Sequence, residues 1–317
     1  MVKLIPKIIE KINEVLRKEG LFPLETPKDF LKRTHGRKHR YSTVCQDKQG
    51  KRFIFYARLH DSPFEKKRMI TEVKLAKVLM KKRYDFFPRY FKGEIKKDFE
   101  WILREYFDED PLEDKENIEK LKRKISGEEI LRICKALLKF QKLKMTNFPF
   151  LKKFDLKKYL RLLEQIEKEE IFSKEELKKL KEFLKKNFQI LKKENKYFSH
   201  GDLQIGNIIL FDRKIKIIDL ESAQISNFAF DVCFLWGRLW RERKVAKEVL
   251  DNFYKFLPKN KRKRFEVLFR LNSLFVGFHS FMQEPKEHDR KTIQKRKKFF
   301  LNVLRKSLES FGELQKL

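Results

Sequence analysis

The stretch from residue 197 to residue 219 constrains the fold of this chain more than any other. It contains the loop His200-Gly-Asp-Leu-Gln-Ile-Gly-Asn207 and continues with an aliphatic run over residues 208–218 that a polar turn interrupts. Aliphatic and β-branched runs around such a turn predict a short hairpin. Because helical patterns lie on both sides, a small β element must fit inside a helical region, and the hairpin would return Asp219 toward Asn207.

Four polar side chains in this stretch have the spacing of a phosphoryl-transfer site. Asp202 precedes Asn207 with four residues between them, the D-x-x-x-x-N spacing of kinase catalytic loops. A carboxylate at Asp202 would orient and deprotonate an acceptor hydroxyl. The amide oxygen of Asn207 and the carboxylate of Asp219 suit Mg²⁺, which takes its other ligands from phosphate and water. His200 joins Asp202 as a candidate catalytic residue, expected to brace the loop by hydrogen bonds.

The rest of the chain divides into a β-rich part and a helical part. The pattern predicts a helix over residues 3–19, strands over 41–46, 52–59, 90–95 and 101–106, and a helix over 64–82. Helices are predicted again over 128–144, 155–168, 174–193 and from about 231 onward. We therefore expect a bilobal α+β fold, with a small β-rich N-lobe over residues 1–107 and a larger helical C-lobe over 108–317.

The loop and the hairpin together resemble a known superfamily. His200-Gly-Asp-Leu-x-x-x-Asn207 with Ile218-Asp-Leu-Glu221 is similar to the aminoglycoside phosphotransferase/choline kinase superfamily. The resemblance implies a protein-kinase-like fold, ATP or GTP as phosphoryl donor with Mg²⁺, Asp202 as catalytic base, and Asn207 and Asp219 as metal ligands. Asp231 resembles the structural aspartate of the superfamily, and a helix N-cap is a second reading of it. Glu221 fits the pattern too, with a solvated or core-edge hydrogen bond as its expected role.

The N-lobe resembles the superfamily in its predicted order of strands and helices more than in its residue identities. Arg58 occupies the strand position where the superfamily has a lysine for the α- and β-phosphates, and arginine can grip phosphate through two donors. Glu72, on the following helix, is the expected ion-pair partner of Arg58. The alternative is a surface arginine and a solvated glutamate.

Three further positions complete the expected nucleotide site. The loop over residues 34–43 has one glycine, Gly36, where backbone amides could approach a phosphate. Glu105 and Phe107 lie at the expected hinge, whose backbone groups would face a purine. Their side chains could equally form an apolar wall or part of the core.

Composition adds a strong positive charge. The chain has 78 basic and 46 acidic residues, for a net charge of +32 at pH 7, and such a balance attracts anions. Because the basic residues run along the whole chain, lysine-coated solvated helices are the first explanation. Binding to nucleic acid or to an anionic membrane surface has no support beyond this charge.

The cysteines and the apolar segments bear on the compartment. Cys45, Cys134 and Cys233 lie too far apart for a disulfide framework or a metal knuckle, so a reducing compartment is expected. The N-terminal stretch lacks a small-residue cleavage site, and no apolar run is long enough to span a bilayer. A cytoplasmic protein is therefore expected.

Two other functions compete with a small-molecule kinase. A regulated protein kinase is disfavoured, because Gly201 precedes Asp202, Ile-Asp-Leu-Glu replaces Asp-Phe-Gly, and no Ala-Pro-Glu segment follows. A pseudokinase, or a nucleotide- or anion-binding module without turnover, remains the alternative, favoured by Arg58 and by the glycine-poor loop.

The acceptor is a small molecule with a hydroxyl group whose identity the motif leaves open. Candidate lining residues, each with a core or solvated alternative, are Glu221, Trp236, Trp240, His279 and Glu284. The positive charge of the chain favours a sugar, an amino alcohol or an anionic lipid-linked molecule over a polycationic antibiotic.

Overall fold

The computed structural model describes residues 4–24, 40–59, 63–97, 99–114, 119–284 and 288–317. By its internal contacts the chain divides into two compact units. The first comprises Met1–Asp110 with Lys216–Ser222, and the second comprises Pro111–Ile215 with Ala223–Leu317. The domain boundary at residue 107 stays a prediction. The short segment that carries Asp219 clusters with the N-terminal unit.

The first unit is built on an antiparallel sheet. Its strands are β1 (Phe22–Pro23), β2 (Arg40–Gln46), β3 (Arg52–Leu59), β4 (Tyr90–Ile95) and β5 (Phe99–Glu105), in the order β1-β2-β3-β5-β4. The hairpin predicted at residues 41–59 is confirmed. Gly50 closes it with a φ of 80°, a conformation that glycine adopts at little cost. Strand β5 begins two residues earlier than predicted, because Phe99 also packs into the core.

Among the residues that the structure describes, this unit has two helices, α1 (Leu4–Lys18) and α2 (Pro63–Lys81). The apolar face of α1 places Ile12, Val15 and Leu16 in one buried cluster with the sheet. Within that cluster the rings of Phe55 and Trp101 stack with centroids 5.5 Å apart. Burial of this face fixes the helix on the sheet, since isolated helices of this length are marginal in water.

The second unit is mainly helical. Its helices are α3 (Gly127–Phe140), α4 (Lys157–Lys168), α5 (Lys174–Glu194), α6 (Phe230–Arg238), α7 (Arg243–Phe256), α8 (Lys259–Met282), α9 (Arg290–Glu309) and α10 (Phe311–Gln315). Helix α3 ends earlier than the predicted residue 144. Beyond Phe140 the backbone N–H groups of Lys142 and Leu143 bond to carbonyls three residues back, so the helix tightens and stops.

Two short β elements flank the loop of residues 200–207. Strand β6 (Tyr197–Ser199) pairs antiparallel with β9 (Gln224–Ser226), a pairing that three-residue strands do not reveal through periodicity. Strands β7 (Ile208–Phe211) and β8 (Lys214–Ile217) form the predicted hairpin. The loop is therefore fixed by a strand at each end.

Aromatic side chains fill the interior of the second unit. Phe154, Tyr159, Phe230 and Phe275 form one group of ring contacts, and the hydroxyl of Tyr159 donates to Asn272 at 2.8 Å. The α+β fold class, β-rich in its N-terminal part and helical in its C-terminal part, is confirmed. Among the described residues, no helix has the length and apolar character needed to cross a membrane.

Candidate active site

Asp231 holds the loop that carries Asp202. Its Oδ1 accepts from the Ser199 hydroxyl at 2.9 Å and from Gly201 N–H at 3.1 Å, and its Oδ2 accepts from His200 N–H at 3.0 Å. Burial raises the pKa of Asp231, and the charge of His200 and these hydrogen bonds oppose the rise. The N-cap reading of Asp231 is wrong, because α6 is capped by Ala229 and Asp231 lies in its first turn.

The two ends of the D-x-x-x-x-N segment are joined directly. The side-chain amide of Asn207 donates to the backbone carbonyl of Asp202 at 2.9 Å. Nδ1 of the buried His200 ring accepts from Asp202 N–H at 3.3 Å. Because the amide nitrogen of Asn207 is engaged in this bond, its oxygen is the atom left to coordinate a cation.

Glu113 lies against the same loop, and no motif in the sequence marks it. Its Oε1 accepts from Glu119 N–H at 2.9 Å, and its Oε2 lies 2.5 Å from where a Cβ on Gly206 would be. Burial raises the pKa of Glu113; the bond from Glu119 N–H lowers it, and the charges of Glu119 and Asp202 raise it. A side chain at position 206 would therefore displace the Glu113 carboxylate.

A buried ion-pair network extends from this point. Glu119 is 2% exposed and has a φ of 63°. It accepts from Arg238 Nη1 at 2.9 Å, from Trp240 Nε1 at 2.5 Å and from Arg296 Nε at 3.1 Å. Burial raises the pKa of Glu119, but the charges of Arg296 and Arg238 outweigh it, so the pKa is lowered overall. Trp240, which was predicted as a candidate residue of the acceptor wall, donates its indole N–H to this network.

In the first unit, Arg58 has a hydrogen-bond partner that differs from the predicted one. Its Nη2 donates to Glu221 Oε2 at 2.5 Å, and the two side chains are 0% and 4% exposed. The prediction named Glu72 as the partner and placed Glu221 at the surface or the core edge. The pairing follows from the fold, because Lys216–Ser222, which includes Glu221, belongs to the same compact unit as the sheet that carries Arg58.

Glu72 lies in the same charge cluster, which we define as Arg58, Glu72, Arg104, Asp219 and Glu221. The pKa of Glu72 is raised to about 8, first by burial and then by the charges of Asp219 and Glu221, while the charges of Arg104 and Arg58 oppose the rise. With Glu72 protonated, the two guanidinium groups face two carboxylates; when Glu72 ionises, the cluster carries one more negative than positive charge, and a bound cation would favour that ionisation.

The backbone at Asp219 is in a conformation that most residues avoid. Its φ is 62°, between the end of β8 and a single 3₁₀ turn over Leu220–Ser222. Aspartate enters the left-handed region more readily than most side chains. Such outliers concentrate at functional sites, where the surrounding structure compensates for the strain.

Comparisons with known proteins place the chain in a family. The model of the phosphotransferase enzyme family, which includes the aminoglycoside phosphotransferases, matches residues 46–265. The chain belongs to this family. The resemblance inferred from the loop and the hairpin is thereby confirmed. Among the curated proteins, none matches the chain in sequence.

Solved structures agree with this phosphotransferase fold. A GDP complex of an aminoglycoside 2′-phosphotransferase-IIIa variant superposes with a TM-score of 0.58 at 14% identity, covering 93% of this chain and 96% of that one. Amicoumacin kinase hAmiN, in complex with AMP-PNP, Ca²⁺ and Ami, gives a TM-score of 0.53 at 12% identity, with 92% of both chains covered. Macrolide 2′-phosphotransferase type I gives 0.54 at 8% identity, with 92% and 95% covered.

The two residues predicted to form a hinge, Glu105 and Phe107, lie within the first unit. The N–H of Glu105 donates to the Arg89 carbonyl at 2.8 Å, and its carboxylate lies 3.4 Å from Lys216 Nζ. Phe107 is buried, with Lys216 Nζ 5.8 Å from its ring centroid. A purine would therefore need backbone groups other than the N–H of Glu105. Gly36 lies outside the described residues.

The remaining acceptor candidates differ in surroundings. Trp236 is 1% exposed and contacts the ring of Phe269, so it is a core residue, as the alternative interpretation of the sequence had it. Glu284 is exposed at the surface and forms an ion pair with Lys297. His279 lines a pocket in the second unit.

Proposed function

We propose that the protein is a small-molecule kinase, which transfers the γ-phosphoryl group of ATP or GTP to a hydroxyl group. One observation carries the proposal. The buried Asp231 fixes the loop, and one hydrogen bond within it joins Asp202 to Asn207. A base for the acceptor and an oxygen ligand for a cation are thereby held in one rigid element, as positioning catalysis requires.

Asp202 has the central role in the proposed step. The acceptor oxygen attacks the γ-phosphorus, and its proton passes to the Asp202 carboxylate. The bond from the γ-phosphorus to the bridging oxygen breaks, and the nucleoside diphosphate leaves with that oxygen. His200 and Asp231 take no proton in this step; they keep the carboxylate of Asp202 in place.

Asn207 and Asp219 would hold magnesium, which would neutralise charge on the phosphates. The donor chemistry fits, because both offer oxygen and Asp219 lies in a cluster of three carboxyl groups and two guanidinium groups. Among the described residues, no three His, Cys, Asp or Glu side chains are grouped as a metal site. Two protein ligands would leave the other coordination positions to phosphate and water, as Mg²⁺ prefers.

We propose that the nucleotide binds to the first unit. Arg58 and Glu72 would act within the charge cluster, Gly36 would approach the phosphates through its backbone, and Glu105 and Phe107 would border the purine. Because Arg58 exposes none of its side chain, we propose that it acts by fixing Glu221 and the turn that contains Asp219.

The direct test is Asp202→Asn, with Asp212→Asn as the matched control. Asp212 lies exposed in the β7–β8 turn and can become asparagine without loss of its left-handed φ of 46°. We expect Asp202→Asn to lose turnover by about 10²-fold or more with nucleotide binding retained, and Asp212→Asn to match the wild type. Unchanged turnover in Asp202→Asn would contradict the mechanism.

A nucleotide- or anion-binding module without turnover is the second candidate, favoured by the complete burial of Arg58. Thermal unfolding with ATP or GTP, with and without Mg²⁺, separates the readings. A magnesium-dependent rise of the melting temperature with consumption of nucleotide supports the kinase. A rise without consumption across a panel of hydroxyl compounds supports the binding module.

A further inference from the structure

The corner between α7 and α8 concentrates positive charge that elsewhere is spread along the chain. Six of the ten residues from 255 to 264 are basic, against 78 of 317 in the whole chain, and no acidic residue lies between Asp251 and Glu266. Because α7 ends at Phe256 and α8 begins at Lys259, a connection of two residues joins the helices. We call this region the basic corner; its cations are Lys255, Lys259, Lys261, Arg262, Lys263 and Arg264.

Phe256 is an exposed apolar side chain on the basic corner. It is 40% exposed, and among the described phenylalanines only Phe22 is exposed as well. Lys255 and Lys259 on either side are also exposed, while Leu257 between them is buried and anchors the connection. An exposed apolar ring within a basic surface is the combination that binds a membrane interface.

Arg262 fixes the shape of the basic corner. Its Nη2 donates to the Lys255 carbonyl at 2.9 Å and its Nε donates to the Leu257 carbonyl at 3.3 Å. The guanidinium also lies over the ring of Tyr254, 5.3 Å from its centroid. These bonds satisfy carbonyl groups at the end of α7, so Phe256 is presented by an ordered backbone and binding would cost little ordering entropy.

The positive surface continues from the basic corner to the end of α5. Lys261 Nζ and Lys196 Nζ lie 5.7 and 5.6 Å from the ring centroid of Tyr197. The carboxylate at this junction belongs to Glu194, which is 1% exposed and pairs with Arg264 at 2.8 Å and with Lys196 at 3.7 Å. The end of α5 thereby adds three exposed lysines: Lys192, Lys193 and Lys196.

The carboxylates within this surface do not cancel its charge. Over residues 192–196 and 251–266 there are nine cations and three carboxylates. Besides Glu194 these are Asp251, which pairs with Lys247 at 2.8 Å, and Glu266, which accepts from the Tyr254 hydroxyl at 2.5 Å. Among the described residues, three exposed lysines of the basic corner form no ion pair: Lys255, Lys259 and Lys263.

We propose that the basic corner binds the surface of an anionic lipid bilayer, with Phe256 in the interface and the lysines at the acidic headgroups. Lysine stems are long enough to reach headgroups while a neighbouring ring is buried. A nucleic acid is held by a basic groove that follows its backbone, whereas these cations surround an apolar side chain. The inference is independent of the proposed kinase, since none of these residues has a role in phosphoryl transfer.

Sedimentation with phosphatidylcholine vesicles, with and without phosphatidylserine, tests the charges. Replacing Lys255, Lys259 and Lys263 by Gln should weaken binding to the anionic vesicles by about 100-fold. The matched control replaces the exposed Lys291, Lys295 and Lys298 of α9 by Gln and removes the same charge.

The control lysines lie far from the basic corner. Arg296, in the same turns of α9, donates to the Ser280 carbonyl near the end of α8, roughly 30 Å along that helix from the corner. The control variant should bind within a few-fold of the wild type. Equal losses in the two variants would show attraction by total charge alone and would overturn the inference.

A tryptophan at position 256 tests insertion of the ring. The three native tryptophans are 8% exposed or less, so Phe256→Trp adds the exposed one. With anionic vesicles of lipids brominated along the acyl chain, its fluorescence should be quenched, whereas Leu160→Trp, at a 49% exposed position on α4, should be unaffected. Vesicle binding without quenching of Phe256→Trp would overturn the inference.

A single-stranded oligonucleotide distinguishes nucleic acid from lipid. Phe256→Ser keeps the charge and should weaken vesicle binding by about tenfold, while binding of the oligonucleotide, followed by fluorescence anisotropy, should be unchanged. If Phe256→Ser weakens oligonucleotide binding more than vesicle binding, the basic corner is a nucleic-acid site and the inference is overturned. All arms are measured without ATP or GTP, so their outcome does not depend on turnover.

Discussion

In the catalytic loop, a single carboxylate, Asp231, is held by N–H and hydroxyl groups that lie close together in the sequence. In the charge cluster of the first unit, stability depends instead on a balance among ionised groups, with Arg58 and Glu221 163 residues apart. We expect the loop held by Asp231 to tolerate loss of the carboxylate charge as long as oxygen acceptors remain at that position. The charge cluster fails when either sign is removed, because a buried charge is left behind.

The largest expected effect is in the charge cluster. Glu221→Leu removes the carboxylate that Arg58 binds and should destabilise the first unit by about 3–5 kcal/mol, measured by urea unfolding. The double variant Arg58→Met with Glu221→Leu should recover most of this loss while nucleotide binding stays weak. A double variant no more stable than the single one would show that the pair is not the source of the cost.

Asp231 is the corresponding position of the loop. Asp231→Ala removes the carboxylate that accepts from the buried His200 N–H and from the Ser199 hydroxyl, leaves the Gly201 N–H with only the Ser199 hydroxyl as acceptor, and should cost about 3 kcal/mol. Asp231→Asn keeps one oxygen acceptor and should cost less. Equal losses in the two variants would mean that the charge of Asp231, and not its hydrogen bonding, holds the loop, which would remove the contrast with the charge cluster.

Gly206 tests how closely the loop is packed. A Cβ there would meet Glu113 Oε2 at 2.5 Å, whereas Gly127, at the start of α3, has no heavy atom within 4 Å of its added Cβ. Gly206→Ala should therefore destabilise by about 1–2 kcal/mol and lower kcat. Gly127→Ala should be neutral or slightly stabilising. Equal turnover in both variants would show that Glu113 moves without consequence for Asp202.

The smallest effect concerns a charge near the surface. Hydrogen bonds from Arg123, opposed by partial burial and aided by the Ser126 cap, lower the pKa of Glu129 to about 2. Since this pKa is depressed on folding, the stabilisation is present above the unfolded value and is lost as pH falls from about 4.3 toward 2. Glu129→Gln should be less stable than the wild type at pH 6, and the two should be equally stable near pH 2.

Features encoded within short stretches were predictable from the sequence. The D-x-x-x-x-N spacing, the β7–β8 hairpin and the amphipathic helices each follow from neighbours along the chain. The ion pair of Arg58 with Glu221 and the bond from Arg296 to Glu119 could not be predicted, because the partners lie 163 and 177 residues apart. Single sequences carry no signal for such pairs, since any buried arginine could meet any carboxylate.

Glu113 was missed for a different reason. The segment Asp108-Glu109-Asp110-Pro111 predicts a hinge, and only the fold reveals that Glu113, two residues after it, lies against Gly206. The sequence pattern gave Glu72 a single ion-pair partner, Arg58. Its environment is set by four other charges, of which a strand-and-helix pattern indicates one.

The network around Glu119 has a consequence for protein engineering. Arg296 of α9 reaches across the second unit to Glu119 and also donates to the carbonyls of Ser280 and Gln283 at the end of α8. A shortened chain that ends before α9 would leave Glu119 a carboxylate without its buried guanidinium, next to the residues that pack on the catalytic loop. A shortened chain should therefore keep the whole of α9.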